Sequence, residues 1–163
     1  GREGEPYLAG VPDWFCSRAR TTPWTFGADG AALARALAAD PAMDVGPRLE
    51  RADAVERDAS GRATQVALVG SRTVTVRAEA FRAAIMAGFG DRSLRSTRFS
   101  VSRDGDRFVF AGTGFGHGAG LCQAGALERV RAGLTPAAVL AHYYPGTRLV
   151  GVHSVARSIA FHP

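Results

Sequence analysis

Between Gly112 and Gly120 every second residue is glycine, in the run Gly112-Thr-Gly-Phe-Gly-His-Gly-Ala-Gly120. Such a run exposes bare main chain. Residues without Cβ atoms reach φ > 0 and let a ligand or another chain lie against the backbone, at the cost of extra ordering entropy on folding. Its neighbours define where it sits. Upstream, 98–103 and 107–111 flank Asp104-Gly105, a strong hairpin turn signal. Downstream, 121–132 reads as a helix ended by Gly133. The glycines therefore lead from a hairpin into a helix.

The rest of the chain supplies a frame. Residues 1–28 are irregular, with a short strand around Trp24 to Phe26. Leu33 and Leu37 share one face of a helix over 31–39, started by Asp29 or Gly30 and closed by Pro41. Strand-like segments at 49–57, 64–69 and 73–77 are separated by Ser60-Gly61 and Gly70-Ser71, which predicts an antiparallel meander. A helix follows over 79–86, with Phe81, Ile85 and Met86 at helical spacing, ending before Gly88. Thr135-Pro136 opens another helix to about His142, which Tyr143-Tyr144-Pro145-Gly146 stops. Closing strands are expected at 148–152 and 157–161. The expectation is an α+β fold: an antiparallel β meander and hairpins with three or four short helices, in a single compact unit of ordinary domain size.

The 20 basic residues are all arginine, which fits the codon usage of a GC-rich genome, and the net charge of +5 favours polyanionic surroundings. After Glu128 there is no Asp or Glu, while Arg129, Arg131, Arg148, Arg157 and three of the four histidines follow. That makes the C-terminal quarter a basic surface. Nucleic acid is not the expected partner, because the paired tyrosines are not interleaved with the arginines. Cys16 and Cys122 are compatible with one disulfide or with two thiols. No stretch approaches the roughly 18–20 apolar residues of a membrane span. The abrupt opening at Gly1 reads as the middle of a longer protein, with any export signal or anchor outside these residues.

Three chemistries compete for the glycine-rich segment. A dinucleotide cradle needs an acidic residue about 20 positions further on, and none follows Glu128. Zinc held by His117, Cys122 and His142 is a weaker alternative to no cofactor, since the spacing matches no standard knuckle. Recognition of a polar polymer fits best. His117, Gln123 and Tyr143 offer an imidazole, an amide and a phenol to sugar hydroxyls and acetamido groups, and Phe115 and Tyr143 offer stacking faces. Tyr143 is equally readable as a core plug with a tethered hydroxyl, and Gln123 as a loop cap.

These residues carry a resemblance. Gly114-Phe-Gly-His-Gly-Ala-Gly-Leu-Cys-Gln-Ala-Gly-Ala126, Gly133-Leu-Thr-Pro-Ala-Ala-Val-Leu140 and His142-Tyr-Tyr-Pro-Gly-Thr-Arg-Leu149 resemble, in order and over roughly 35 residues, the C-terminal signature of the SpoIID/LytB family. Pro6 to Asp13 and Leu94 to Phe99 are weaker echoes. The resemblance implies that 1–163 is the C-terminal portion of one such domain, in the cell envelope, secreted or anchored through a segment elsewhere. Its implied partners are peptidoglycan glycan strands and a cell-wall amidase. Members include lytic transglycosylases, in which one glutamic acid protonates the leaving oxygen while the muramic C6 hydroxyl attacks, and amidase enhancers. The family's Glu-Met-Pro-like acid motif is absent from these 163 residues. His117 and Gln123 are thus expected as auxiliary catalytic groups, with Gly114, Phe115, Gly116, Gly118, Cys122, Tyr143 and Ser96 as substrate-binding residues.

Overall fold

The structure, a computed structural model, describes residues 10–16, 22–118 and 120–150. The chain divides into two units, one of 17–118 and one that joins 1–16 to 119–163. Each is described by itself.

The larger unit begins with strand β1 (Pro23–Asp29) and helix α1 (Gly30–Leu37). The Asp29 carboxylate caps α1 by accepting from Ala32 N–H at 2.7 Å, and that bond holds its pKa below the usual carboxylate value. Leu33 and Leu37 are fully buried, as their spacing predicts. The meander follows as β2 (Arg51–Arg57), β3 (Ala63–Val69) and β4 (Thr73–Arg77), in the order β2-β3-β4 with antiparallel pairing throughout. Val66 and Leu68 on β3 point inward at the strand period of two.

Helix α2 (Ala78–Phe89) buries Phe81 and Ile85. It runs through Gly88 rather than stopping before it. A Cβ at Gly88 would stand 2.6 Å from the Ala36 Cβ, so the missing side chain lets α1 and α2 approach there. The hairpin is β5 (Phe99–Asp104) and β6 (Arg107–Thr113), and β1 pairs with the other edge of β6, giving the order β1-β6-β5. The strand expected around Trp24 to Phe26 is thus a full seven-residue partner of β6. Pairing between segments some 80 positions apart leaves no local sequence signal. Phe81, Phe99 and Phe110 meet at ring distances of 5.8–6.1 Å and tie α2 to this sheet.

The smaller unit contains a 3-10 turn (Trp14–Cys16), helix α3 (Gln123–Arg131) and helix α4 (Pro136–Tyr143). Thr135 caps α4 through its Oγ1 at 3.2 Å from Ala138 N, with Pro136 in the first turn, as the sequence indicates. Of the closing strands, 148–150 form no regular element, and 151–152 and 157–161 lie outside the described residues. The α+β class is as expected: among the described residues there are two antiparallel sheets and four helices. No helix among the described residues is long and apolar enough to cross a membrane.

Candidate functional site

The glycine run does two jobs. Gly112 is a packing residue, since a Cβ there would collide with the Trp24 ring and the Arg98 carbonyl. From Gly114 onward the backbone changes hand. Gly114, Gly116 and Gly118 have φ of 74°, 70° and 78°, and no residue other than glycine has positive φ among those described. Main-chain bonds pin the segment: Gly114 N–H donates to Thr22 O at 2.9 Å and Gly116 N–H to Arg95 O at 2.8 Å. Arg62 Nη1 donates to Gly116 O at 2.8 Å, and its guanidinium lies where a Gly118 side chain would go. The result is a fixed backbone that turns two side chains outward. Phe115 is 55% exposed, and the His117 side chain 52%.

His117 Nδ1 stands 3.9 Å from Glu79 Oε1 in the first turn of α2, and Glu79 also faces Arg77 at 3.6 Å. Sequence reasoning gives Glu79 no place at the site. Nothing local announces the meeting, because a whole hairpin separates the two positions. Ser96 does not serve as expected. It is 0% exposed, its hydroxyl donates to Thr113 O at 2.8 Å, and it accepts from Arg98 N–H at 3.2 Å. Ser96 also bridges to Gly116, so it shapes the segment from behind and presents nothing to a ligand.

In the smaller unit, motif residues turn inward. Cys122 is bonded to Cys16, 106 positions away, and caps α3 by accepting from Gly125 N–H at 3.4 Å. It is therefore not a substrate-binding thiol. Tyr143 is 4% exposed and donates its hydroxyl to Asp13 Oδ2 at 2.5 Å, which corrects its assignment as a sugar-stacking face. Burial first, and the Asp13 bond second, push its pKa up to about 12. Arg129 Nη2 donates to Asp13 Oδ1 at 3.1 Å and meets His142 Nε2 at 2.7 Å. Arginine has no acceptor, so His142 Nε2 accepts and the ring proton sits on Nδ1. The Phe15 ring lies 4.8 Å from the Arg129 guanidinium and covers it.

Gly125 makes this cluster fit, since a Cβ there would overlap both the Asp13 carboxylate and the Tyr143 hydroxyl. Arg129, read from the sequence as part of a basic surface, is 8% exposed. Its acid partner comes from the other end of the chain, which resolves the lack of acidic residues after Glu128. Gln123 alone among the expected residues of this unit stays exposed, at the first position of α3.

The zinc set does not fit. Cys122 is spent in the disulfide and His142 Nε2 on Arg129, whereas zinc takes a thiolate and an unshared imidazole nitrogen. Asp13, Cys16 and Cys122 place three ligand-type atoms within 4.8 Å of one another, with both sulfurs bonded to each other.

Fold and site together define an α+β protein whose larger unit displays an aromatic ring and an imidazole on a glycine frame. Residues 23–120 match the model of a family described as a domain of unknown function (DUF8618), and the chain belongs to that family. The chain is also 40% identical over 60 residues to a protein of Bacillus subtilis (strain 168) named amidase enhancer. That match covers 37% of this chain and 8% of the relative, so the chain spans less than a tenth of that protein. It supports the resemblance to the SpoIID/LytB family in part.

Proposed function

We propose that this chain binds peptidoglycan glycan strands in the cell envelope, with the segment from Gly114 to Gly118 as the strand-contacting backbone. The observation that carries the reading is the alternation of positive-φ glycines with outward-turned Phe115 and His117. A polysaccharide offers apolar ring faces and many hydroxyl and amide groups, and this segment pairs an aromatic face with an imidazole and bare main chain. His117, beside Glu79, serves as an auxiliary group of a lytic transglycosylase-type reaction, and Gln123 is a second candidate for that role. The acid of that reaction is carried outside these 163 residues. Accordingly this chain alone binds strands and releases no anhydro-muramyl product.

Titration of the chain with peptide-free glycan strands tests the reading. Binding is expected, and His117→Ala should weaken it about tenfold, the worth of one strong hydrogen bond. Absence of strand binding by the folded wild-type chain would sink the proposal. A second reading, a non-catalytic module that enhances a partner amidase, is favoured by the name of the Bacillus relative. It gains if the chain raises amidase turnover on intact wall while the His117→Ala variant does so equally well.

A further inference from the structure

Arg62 reaches both sides of one residue. Its Nη1 donates to Gly116 O at 2.8 Å and its guanidinium packs where a Gly118 side chain would stand, so it holds the main chain before and after His117. Arg62 is itself held. Its N–H donates to the Asp58 carboxylate at 3.1 Å, and its carbonyl accepts from Asp58 N–H at 2.9 Å. The same carboxylate accepts from Ser60 N–H at 2.8 Å and from the Ser60 hydroxyl at 2.6 Å. Arg57 ties this turn to β5, its Nη1 donating to Gly61 O at 3.0 Å and its Nη2 to Phe99 O at 2.8 Å. The turn between β2 and β3 is thus a firm mount for the Arg62 side chain.

A Gly-His-Gly segment is among the loosest that a chain can carry, since each glycine reaches both signs of φ. Left to itself it would spread the imidazole over many directions, and a ligand would bear the cost of ordering it on binding. Gly116 and Gly118 instead hold φ of 70° and 78°, with a charged donor on the carbonyl of the first and a planar group against the second. We propose that Arg62 is a positioning residue for this segment, holding the main chain on both sides of His117 so that the imidazole is presented in one orientation before a ligand arrives. The inference rests on the glycan-strand reading and deepens it: the β2–β3 turn, which carries none of the expected site residues, becomes part of the site.

The experiment has two arms. Nitrogen relaxation of the backbone reads the segment without ligand: order parameters at Gly116, His117 and Gly118 should stand near the rigid value of about 0.85 in the wild-type chain and fall below about 0.6 in Arg62→Ala, while those of the strands stay as they are. Titration with peptide-free strands reads the consequence: Arg62→Ala should weaken binding about tenfold alone and less than about twofold in the His117→Ala background, because the guanidinium acts through the imidazole. Arg35→Gln, at an exposed arginine on α1, controls for net charge and should change neither reading. If Arg62→Ala does not fold, Arg62→Lys takes its place: it keeps one donor for Gly116 O and should loosen Gly118 alone. Order parameters that stay at the wild-type level, or losses of affinity that add in full across the two substitutions, overturn the role of Arg62 while strand binding stands. Failure of the wild-type chain to bind strands sinks the strand reading, and the relaxation arm then decides by itself whether Arg62 holds the segment.

Discussion

The glycine-rich end of the larger unit and the core of the smaller one both draw on motif residues, yet they use them in opposite ways. Around Gly114 to Gly118 the main chain is fixed by backbone bonds and the side chains face solvent. Around Asp13 a side chain does the fixing: its carboxylate accepts from the Arg129 guanidinium, the Tyr143 hydroxyl and the Phe15 N–H. A signature read along the sequence thus mixes display with scaffolding. Substitutions separate the two, since losses in the first region should fall on ligand binding and in the second on stability.

The largest effect is expected at Asp13. Removing the carboxylate leaves the Arg129 guanidinium buried beside His142 without an acid, and breaking such a pair by deleting one partner costs about 3–5 kcal/mol. Asp13→Ala should therefore lower the midpoint of chemical denaturation by most of the smaller unit's stability, monitored by the near-ultraviolet signals of Trp14 and Tyr143. A loss under 1 kcal/mol would mean that the cluster is not the centre of that unit. The Cys16–Cys122 bond limits how far the variant can open. In the loop-entropy picture a cross-link over about 100 residues removes on the order of 4–5 kcal/mol of unfolded-chain freedom, so the variant is best compared oxidised and reduced.

The helices, the meander and the hairpin were legible in the sequence because their signals are local: Leu33 and Leu37 at helical spacing, Asp104-Gly105 at the turn, Thr135-Pro136 at a helix start. The long-range pairings were not. β1 against β6, Glu79 beside His117 and Asp13 beneath Arg129 join positions with no shared periodicity. At the site, Phe115, His117 and Gln123 are exposed, whereas Ser96 and Tyr143 are buried in hydrogen bonds and Cys122 is held in a disulfide. The missing information was burial. A tyrosine, a serine or a cysteine in a motif reads alike whether its polar atom faces water or a carboxylate 130 positions away.

An intermediate effect is expected at Tyr143. Its pKa of about 12 against an ordinary 10.0 means that the fold favours the protonated phenol. A group whose pKa rises on folding lends stability that is whole below the unfolded value and disappears as pH climbs through the folded one. The gap in stability between the wild-type chain and Tyr143→Phe, about 1–2 kcal/mol from the lost bond to Asp13, should hold below pH 10 and close between about 10 and 12. Absorbance of the phenolate follows the same event directly. A gap that stays constant through that window would show that the hydroxyl is not the group responsible.

The smallest effect on stability should come from Phe115, and this is the sharpest test of the contrast. The ring is 55% exposed and stands on backbone whose bonds run through Gly114 and Gly116, so its removal breaks no main-chain contact and opens no cavity. Surface substitutions of that kind usually shift stability by no more than about 0.5 kcal/mol. Its stacking on a sugar would carry about 1 kcal/mol, close to a fivefold change in affinity. Phe115→Ala should accordingly unfold with the wild-type midpoint and bind peptide-free strands several-fold more weakly. If instead the midpoint drops by 2 kcal/mol or more with affinity per folded molecule unchanged, the glycine-rich segment belongs with the Asp13 cluster as scaffold, and the division between the two regions fails.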